Sequence, residues 1–277
     1  MSNSREKERL DQLMVDQNIV PTRSRAKAEI MAGNVFVNGK KVEKPGTFFF
    51  PGVNIELHQK GSFYVSRGGD KLEKAIKDFK IDFKGKVVLD IGASTGGFTH
   101  CALQNGAEKV YALDVGYGQL AWELRNNPRV KNMERINIRF LDKEELEEVP
   151  DLATVDVSFI SLRLIFPVVH NLGIKQVVAL IKPQFEASPQ QVGKKGVVRD
   201  QIIHREILTK IIDLALSFNY EIEGISFSPL KGPQGNIEYL IYLLQDDNIG
   251  EERENIHKLI TEIIDKAHEQ LVEPGNK

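Results

Sequence analysis

Cysteine is nearly absent from this chain of 277 residues. The one present, Cys101, excludes an intramolecular disulfide and any multi-cysteine metal site, and its place behind a glycine-rich turn predicts a small packed residue. Six histidines, at 58, 100, 170, 204, 257 and 268, show no H-E-x-x-H or other ligand spacing, so no metal is expected. Gly224-Ile225-Ser226-Phe227-Ser228 lacks the G-x-S-x-G elbow of serine hydrolases. Long apolar runs are missing too. Stretches such as Val177-Val178-Ala179-Leu180-Ile181 fall far short of the roughly 18 residues a membrane helix needs. The first eight residues hold no apolar signal segment, which predicts a cytoplasmic location. The single tryptophan, Trp122, is expected in the core or on a ligand wall. What remains is ordinary soluble composition, 41% hydrophobic and 27% charged, enough for one large domain or two unequal ones.

The net charge of −2 hides an asymmetry. Residues 1–86 carry 17 Lys and Arg against 11 Asp and Glu, whereas the rest carries 20 against 28. A basic front on an acidic body fits a front that meets a polyanion, or merely solvated helices. Within that front, Leu10, Leu13 and Met14 predict a helix over about 5–17, broken by Asn18-Ile19-Val20-Pro21. Thr22 is a good cap for a second helix through Ala32, with Gly33 as its stop. Alternating apolar residues around Asn38-Gly39 predict a hairpin, Lys44-Pro45-Gly46 a turn, and Val53, Ile55 and Leu57 a further strand. The second helix carries Arg23, Arg25 and Lys27 near its N-terminus, where its dipole adds positive potential. From Arg23 to Lys40 these residues resemble the RNA-binding module named for ribosomal protein S4. That module binds structured RNA by shape and phosphate contacts, and predicts a ligand class but no reaction.

A glycine-containing stretch from Gly61 to Gly69 precedes helical spacing at Leu72, Ala75, Ile76 and Phe79. Strands are then expected near 87–91, 109–114, 130–133, 152–157, 176–181, 221–227 and 237–244. Helices are expected near 97–105, 118–126, 161–171 and 201–218. Such alternation implies an α/β fold with a mostly parallel, doubly wound sheet that binds ligands beyond the carboxyl ends of its strands. A last amphipathic helix over about 251–272, with Ile256, Leu259, Ile260, Ile263, Ile264 and Leu271 on one face, either packs on this domain or forms a dimer contact. The first strand runs into Asp90-Ile91-Gly92-Ala93-Ser94-Thr95-Gly96-Gly97-Phe98, neither G-x-G-x-x-G nor a phosphate loop. An acid at its start suits a cationic amine better than a pyrophosphate. Asp114, closing the next strand, can accept both hydroxyls of a ribose. Together they point to S-adenosylmethionine, with a dinucleotide as the rival.

Four polar positions mark the ligand edge. Lys71 precedes the sheet, Asp156 ends the fourth strand, Lys182 emerges after five apolar residues, and Glu238 opens the last strand. Lys182 is either a group that orients or deprotonates a hydroxyl, or a lysine snorkelling from a strand end. The basic loop from Gly193 to Arg199 is either a phosphate clamp or a solubilising surface. The motifs Ser-Arg-Gly-Gly-x-Lys-Leu, Asp-Ile-Gly-Ala-Ser-Thr-Gly-Gly-Phe-Thr, Val-Asp-Val-Ser-Phe-Ile-Ser-Leu, Lys-Pro-Gln-Phe-Glu and Gly-Asn-x-Glu-Tyr resemble those of the FtsJ class of ribose methyltransferases. Fused to the N-terminal module, the chain over about 5–245 resembles the haemolysin A (TlyA) family. Thr95 stands where that class usually has proline, and Asn137 where an acid often contacts adenine.

The resemblance implies a seven-stranded Rossmann-like methyltransferase sheet behind a small N-terminal α+β RNA-binding domain. Domains follow at 1–60 (RNA binding), 61–70 (linker), 71–246 (methyltransferase) and 247–277 (C-terminal helix). It implies a methyl transfer from S-adenosylmethionine to the 2′-hydroxyl of a cytidine in 16S or 23S ribosomal RNA, with Lys71, Asp156, Lys182 and Glu238 as catalytic tetrad. Cofactor contacts are expected from Asp90, Gly92, Ala93, Ser94, Thr95, Gly96, Gly97, Phe98, Asp114, Val115 and Asn137. RNA contacts are expected from Arg23, Arg25, Lys27, Lys40, Lys41, Arg67, Lys194 and Lys195. The expected partners are ribosomal RNA or ribosomal subunits, with no membrane and no metal, and the expected state is a monomer. The competing readings are a non-catalytic RNA-binding protein and a membrane-active haemolysin. The intact glycine turn and tetrad speak against the first, and the lack of a spanning segment and the acidic C-terminal helix against the second.

Overall fold

The computed structural model describes residues 7–17, 19–20, 22–31, 34–57, 63–245 and 253–271. The expected first turn at 5–6, the breakers Asn18 and Pro21, the stop at Ala32 and Gly33, the linker glycine Gly61 and both ends of the C-terminal segment lie outside the described residues. The chain divides into two compact units, 1–62 and 63–277.

The first unit runs β1 (Glu8–Arg9), α1 (Leu10–Asp16), α2 (Arg23–Met31), β2 (Val35–Val37), β3 (Lys40–Lys41), β4 (Phe48–Phe49) and β5 (Ile55–Leu57). The Arg25 amide donates to Thr22 Oγ1 at 3.2 Å, so Thr22 caps α2 as its position demands. Asn38 and Gly39 both take positive φ (50° and 75°), which closes the β2–β3 hairpin. Leu10, Met14, Ala26, Ile30, Val35 and Val37 form the core. The first helix is shorter than its periodicity predicts, because Glu8 and Arg9 are extended and pair with Phe49 and Phe48. Asp11 is buried and accepts from Arg9 at 2.9 Å and from Arg23 at 3.1 Å. The Arg9 guanidinium holds its carboxyl below the usual range, with Arg23 adding to the effect.

The second unit opens with α3 (Gly68–Phe79) and continues through β6 (Val87–Ile91), α4 (Gly97–Gln104), β7 (Lys109–Asp114), α5 (Trp122–Arg125), β8 (Val130–Glu134), β9 (Leu152–Val155), α6 (Phe166–Asn171), β10 (Gln176–Ile181), α7 (Pro183–Glu186), α8 (Gln201–Ser217), β11 (Tyr220–Phe227), β12 (Tyr239–Gln245) and α9 (Arg253–Leu271). The strand order is β11-β12-β10-β9-β6-β7-β8, and β12 runs antiparallel to both its neighbours. Burial alternates with period two. Leu89, Ile91, Tyr111, Leu113, Ala179 and Ile181 face α6, α8 and α9, whereas Val88, Val110, Ala112, Val178 and Leu180 face α3 and α4.

Some expectations give way here. The 118–126 helix is a single turn, because Gly116 and the left-handed Gly118 (φ 72°) keep the chain before it in a loop. Trp122 is neither core nor ligand wall. It is 79% exposed, while Leu120 and Leu124 turn inward over Gly96. Residues from Phe63 on belong to the second compact unit, in which α3 begins at Gly68. The C-terminal helix buries Ile260, Ile264 and Ala267 against α8 and β11, but Leu259 of its expected apolar face stays exposed.

Candidate active site

A cavity of about 310 Å³ opens beyond the carboxyl ends of β6, β9 and β10. One wall is the turn after β6, with Gly92, Ala93, Ser94 and Thr95. Another is made by Ser66 and Arg67, which lead into α3, and by the first residues of α3 and α4, Gly68, Gly97 and Phe98. The two helix starts meet backbone to backbone, since a methyl on Gly97 would lie 2.8 Å from the Gly69 amide nitrogen. At Gly92 (φ 85°) a side chain would lie 2.7 Å from the Asp156 carbonyl, so this turn requires glycine.

The tetrad converges on the same cavity. Lys71 Nζ donates to Glu238 Oε2 at 2.6 Å and lies 3.8 Å from Asp156 Oδ2. Lys182 Nζ lies 2.6 Å from Asp156 Oδ1 and donates to Ser158 Oγ at 3.1 Å. Glu238, Lys71, Asp156, Lys182 and Ser158 thus form one connected polar chain. Glu238 is fully buried, and its Oε1 has no hydrogen-bond partner among the described residues. Gly232 packs against this carboxylate so closely that any side chain would collide with it. Ser158, Gly232 and Lys231, all on the cavity wall, were not singled out from the sequence. Ser158 sits inside the Val-Asp-Val-Ser motif, where its hydroxyl at the strand end was the available signal. Phe159 follows with a left-handed backbone (φ 64°) and a ring 91% exposed. Its centroid lies 5.0 Å from that of Phe185, over which Lys182 Nζ stands at 5.9 Å.

The expected cofactor residues divide. Asp90 does not line the cavity. Its carboxyl is wholly buried and accepts from Thr99 at 2.6 Å and Thr154 at 3.0 Å, tying the β6 end to α4 and β9. Burial pushes it up to about 6 against those two hydroxyls. The carboxyl thus ties the turn to the helix and strand beside it. Asp114 holds the same turn from the other side, accepting from the Ser94 amide at 2.8 Å and the Gly116 amide at 2.7 Å. Val115 is exposed, and Asn137 caps a short 3₁₀ turn by accepting from the Arg139 amide at 3.1 Å. Neither lines the cavity.

Among the expected RNA contacts, Arg23 is tied to Asp11, Arg25 to Glu29 and Lys41 to Glu43. Lys27 and Lys40 are exposed and form no ion pair among the described residues. Lys194 and Lys195 are exposed on a turn that Asn236 fixes, its amide donating to the Gly196 carbonyl and accepting from the Val198 amide. Cys101 is buried and its thiol is pushed up to about 12 by that burial. No group of three or more His, Cys, Asp or Glu suited to a metal, and no helix long and apolar enough to cross a membrane, occurs among the described residues.

A mostly parallel seven-stranded sheet with one reversed strand, a glycine turn after its first strand and an acid closing its second defines a Rossmann-like methyltransferase fold. The chain belongs to the FtsJ-like methyltransferase family, whose profile matches residues 64–244, and an S4 domain precedes it at residues 8–52. It is 46% identical over 96% of both chains to YqxC of Bacillus subtilis, provisionally named an rRNA methyltransferase. It is 40% identical to the 16S/23S rRNA (cytidine-2′-O)-methyltransferase TlyA of Mycobacterium tuberculosis, over 85% of this chain and 89% of that one. Among solved structures, a protein from Streptococcus thermophilus provisionally named a hemolysin superposes with a TM-score of 0.75 at 42% identity, over 96% of this chain and 98% of that one.

Proposed function

We propose that this chain methylates the 2′-hydroxyl of a cytidine in ribosomal RNA, using S-adenosylmethionine. The observation that carries this reading is the connected Glu238–Lys71–Asp156–Lys182 chain on the wall of the glycine-turn cavity. The names of the relatives supply the nucleotide and the RNA. The S4 domain supplies the means of holding the RNA, and such a substrate sets the work in the cytoplasm.

The residues present fit the cofactor. The glycine turn leaves backbone room that a side chain at Gly92 or Gly97 would fill. The amide starts of α3 and α4 favour a carboxylate. Asp114 keeps free lone pairs beside its two amide bonds for a ribose. When bound, S-adenosylmethionine supplies an electrophilic methyl group on a sulfonium. The protein's own work is to hold the ribose oxygen. Lys182, fixed between Asp156 and Ser158, donates a hydrogen bond to that oxygen and holds it in line with the methyl–sulfonium bond, the hydroxyl proton leaving to water as the oxygen attacks; if it has first lost its own proton, its amine accepts the hydroxyl proton instead. Lys71 and Glu238 hold Asp156 in place, and Phe159 offers an aromatic face to a base beside the reacting ribose. Fixing such an oxygen in line can contribute as much as a proton transfer.

The test is transfer of labelled methyl to ribosomal subunits and to their free RNA, followed by alkaline hydrolysis and mass mapping. A hydrolysis-resistant dinucleotide carrying methylcytidine is expected. A methylated base would overturn the tetrad reading, and no transfer with intact cofactor binding would leave a binding protein.

A further inference from the structure

The three consecutive phenylalanines of the first unit divide in a way its core does not require. Phe49 packs inward against the small core. Phe48 and Phe50, on either side of it, remain 56% and 53% exposed. Their surroundings are not only aromatic. Arg9 lies directly across the ribbon from Phe48, and Lys7 Nζ stands 5.1 Å from the centroid of the Phe50 ring. Arg9 shares the buried Asp11 carboxylate with Arg23, so two guanidiniums meet one acid and the cluster keeps positive charge. Exposed Lys40 and Lys44 add to the charge of the unit.

Two exposed rings, one with a lysine over it and one across the ribbon from an arginine, match a particular ligand. Unpaired nucleobases stack on aromatic faces, and the phosphates on either side seek cations. An apolar protein partner would need no lysine over a ring, and duplex RNA would offer no free base. We propose that Phe48 and Phe50 form a stacking surface for an unpaired nucleobase of the RNA substrate, with Lys7 and Arg9 set to meet its neighbouring phosphates. This rests on the RNA reading above and gives the first unit a preference for single-stranded features that phosphate contacts alone do not provide.

The experiment uses the full chain and two probes: a hairpin RNA with one 2-aminopurine bulge, and the same hairpin fully paired. Leucine keeps the apolar area of phenylalanine and removes the π face. Phe48→Leu/Phe50→Leu should weaken binding of the bulged hairpin roughly five- to hundredfold, relieve quenching of its fluorescence, and leave the paired hairpin and the salt slope unchanged. Phe48→Tyr/Phe50→Tyr should restore both readouts. Because both rings are exposed, the variants should melt with the wild type. Equal affinity of wild type and leucine variant for the bulged probe would overturn the stacking surface alone. So would equal weakening on both probes, or a self-association of the wild type that the leucine variant retains. Failure of the wild type to bind either RNA would remove the RNA reading and this surface with it.

Discussion

Lys71 and Glu238 set a measurable energetic trap. Glu238 is fully buried, Lys71 is 12% exposed, and 2.6 Å separates them. Removing the lysine leaves a buried carboxylate without its ion-pair partner, and its Oε1 already lacks a hydrogen bond among the described residues. Breaking a buried pair from one side costs about 3–5 kcal/mol, so Lys71→Met should lose that much stability. Glu238→Gln keeps the volume and leaves Lys71 near Asp156 and the cavity, so it should lose only about 1–2 kcal/mol. In the double variant no charge is stranded, and its loss should fall below that of Lys71→Met alone. That makes the coupling between the two sites larger than the Glu238→Gln loss itself, at least about 1 kcal/mol. Urea unfolding followed by far-UV circular dichroism measures all four corners. Fluorescence is the wrong probe because Trp122 is exposed already. Losses that add to within about 0.5 kcal/mol would refute the argument that the Glu238 carboxylate depends on Lys71.

Four further outcomes are expected. Lys182→Ala should slow single-turnover methyl transfer by about 10²–10⁴ with cofactor affinity nearly unchanged, and Lys182→Arg should not restore it, because a guanidinium stays protonated; ordinary turnover in the alanine variant would remove Lys182 from the chemistry. Asp114→Ala should weaken cofactor binding by calorimetry while the domain stays folded, and unchanged affinity would sink the ribose assignment. Asp90, raised by burial from 3.8 to about 6, contributes stability that is present below pH 3.8 and lost as the pH rises to about 6. Asp90→Asn should therefore gain on the wild type across that window, by about 3 kcal/mol, and then level off; a flat difference in urea unfolding between pH 4 and 7 would contradict this. His204 is lowered by burial from 6.5 to about 4, so the wild type should lose stability as the pH falls through that interval, and His204→Gln should flatten the loss.

The fold was legible where periodicity was strong and unbroken. The five apolar residues of β10, the Asn38-Gly39 hairpin and the Thr22 cap each carry their structural reason in a few adjacent residues. What was not legible depended on contacts far apart in the chain. Glu8 and Arg9 look like the first turn of a helix until Phe48 and Phe49 arrive to pair with them. The Trp122 helix reads longer than it is because Gly116 and Gly118 set the boundary through backbone shape. Within the site, Lys182 stands out locally as a cation after five apolar residues, whereas the grouping of Lys71, Asp156, Lys182 and Glu238 comes from the resemblance to the FtsJ class. Asp90 reads as an exposed strand-end acid, and nothing local shows that Thr99, on the following helix, and Thr154, on another strand, close around it. Arg23 is a similar case. Its charge reads as a free phosphate ligand, yet the buried Asp11 claims part of it.

The reversed direction of β12 is what makes the site possible. Asp156 and Lys182 each come one residue after the last residue of a parallel strand, so both stand at the carboxyl edge of the sheet. Glu238 comes one residue before its strand begins. In a parallel strand that position would lie at the opposite edge, some 20 Å away for a six-residue strand at about 3.3 Å per residue. Because β12 is antiparallel and Ile181 pairs with Tyr239, its start falls beside the end of β10, and Glu238 reaches the edge where Lys71, Asp156 and Lys182 already are. Gly232 completes the arrangement by letting the incoming loop lie flat against the Glu238 carboxylate. The antiparallel strand and the glycine thus serve one end: they bring the second carboxylate to a site that already holds two lysines and one acid. Four charges that would be costly to bury singly become two pairs.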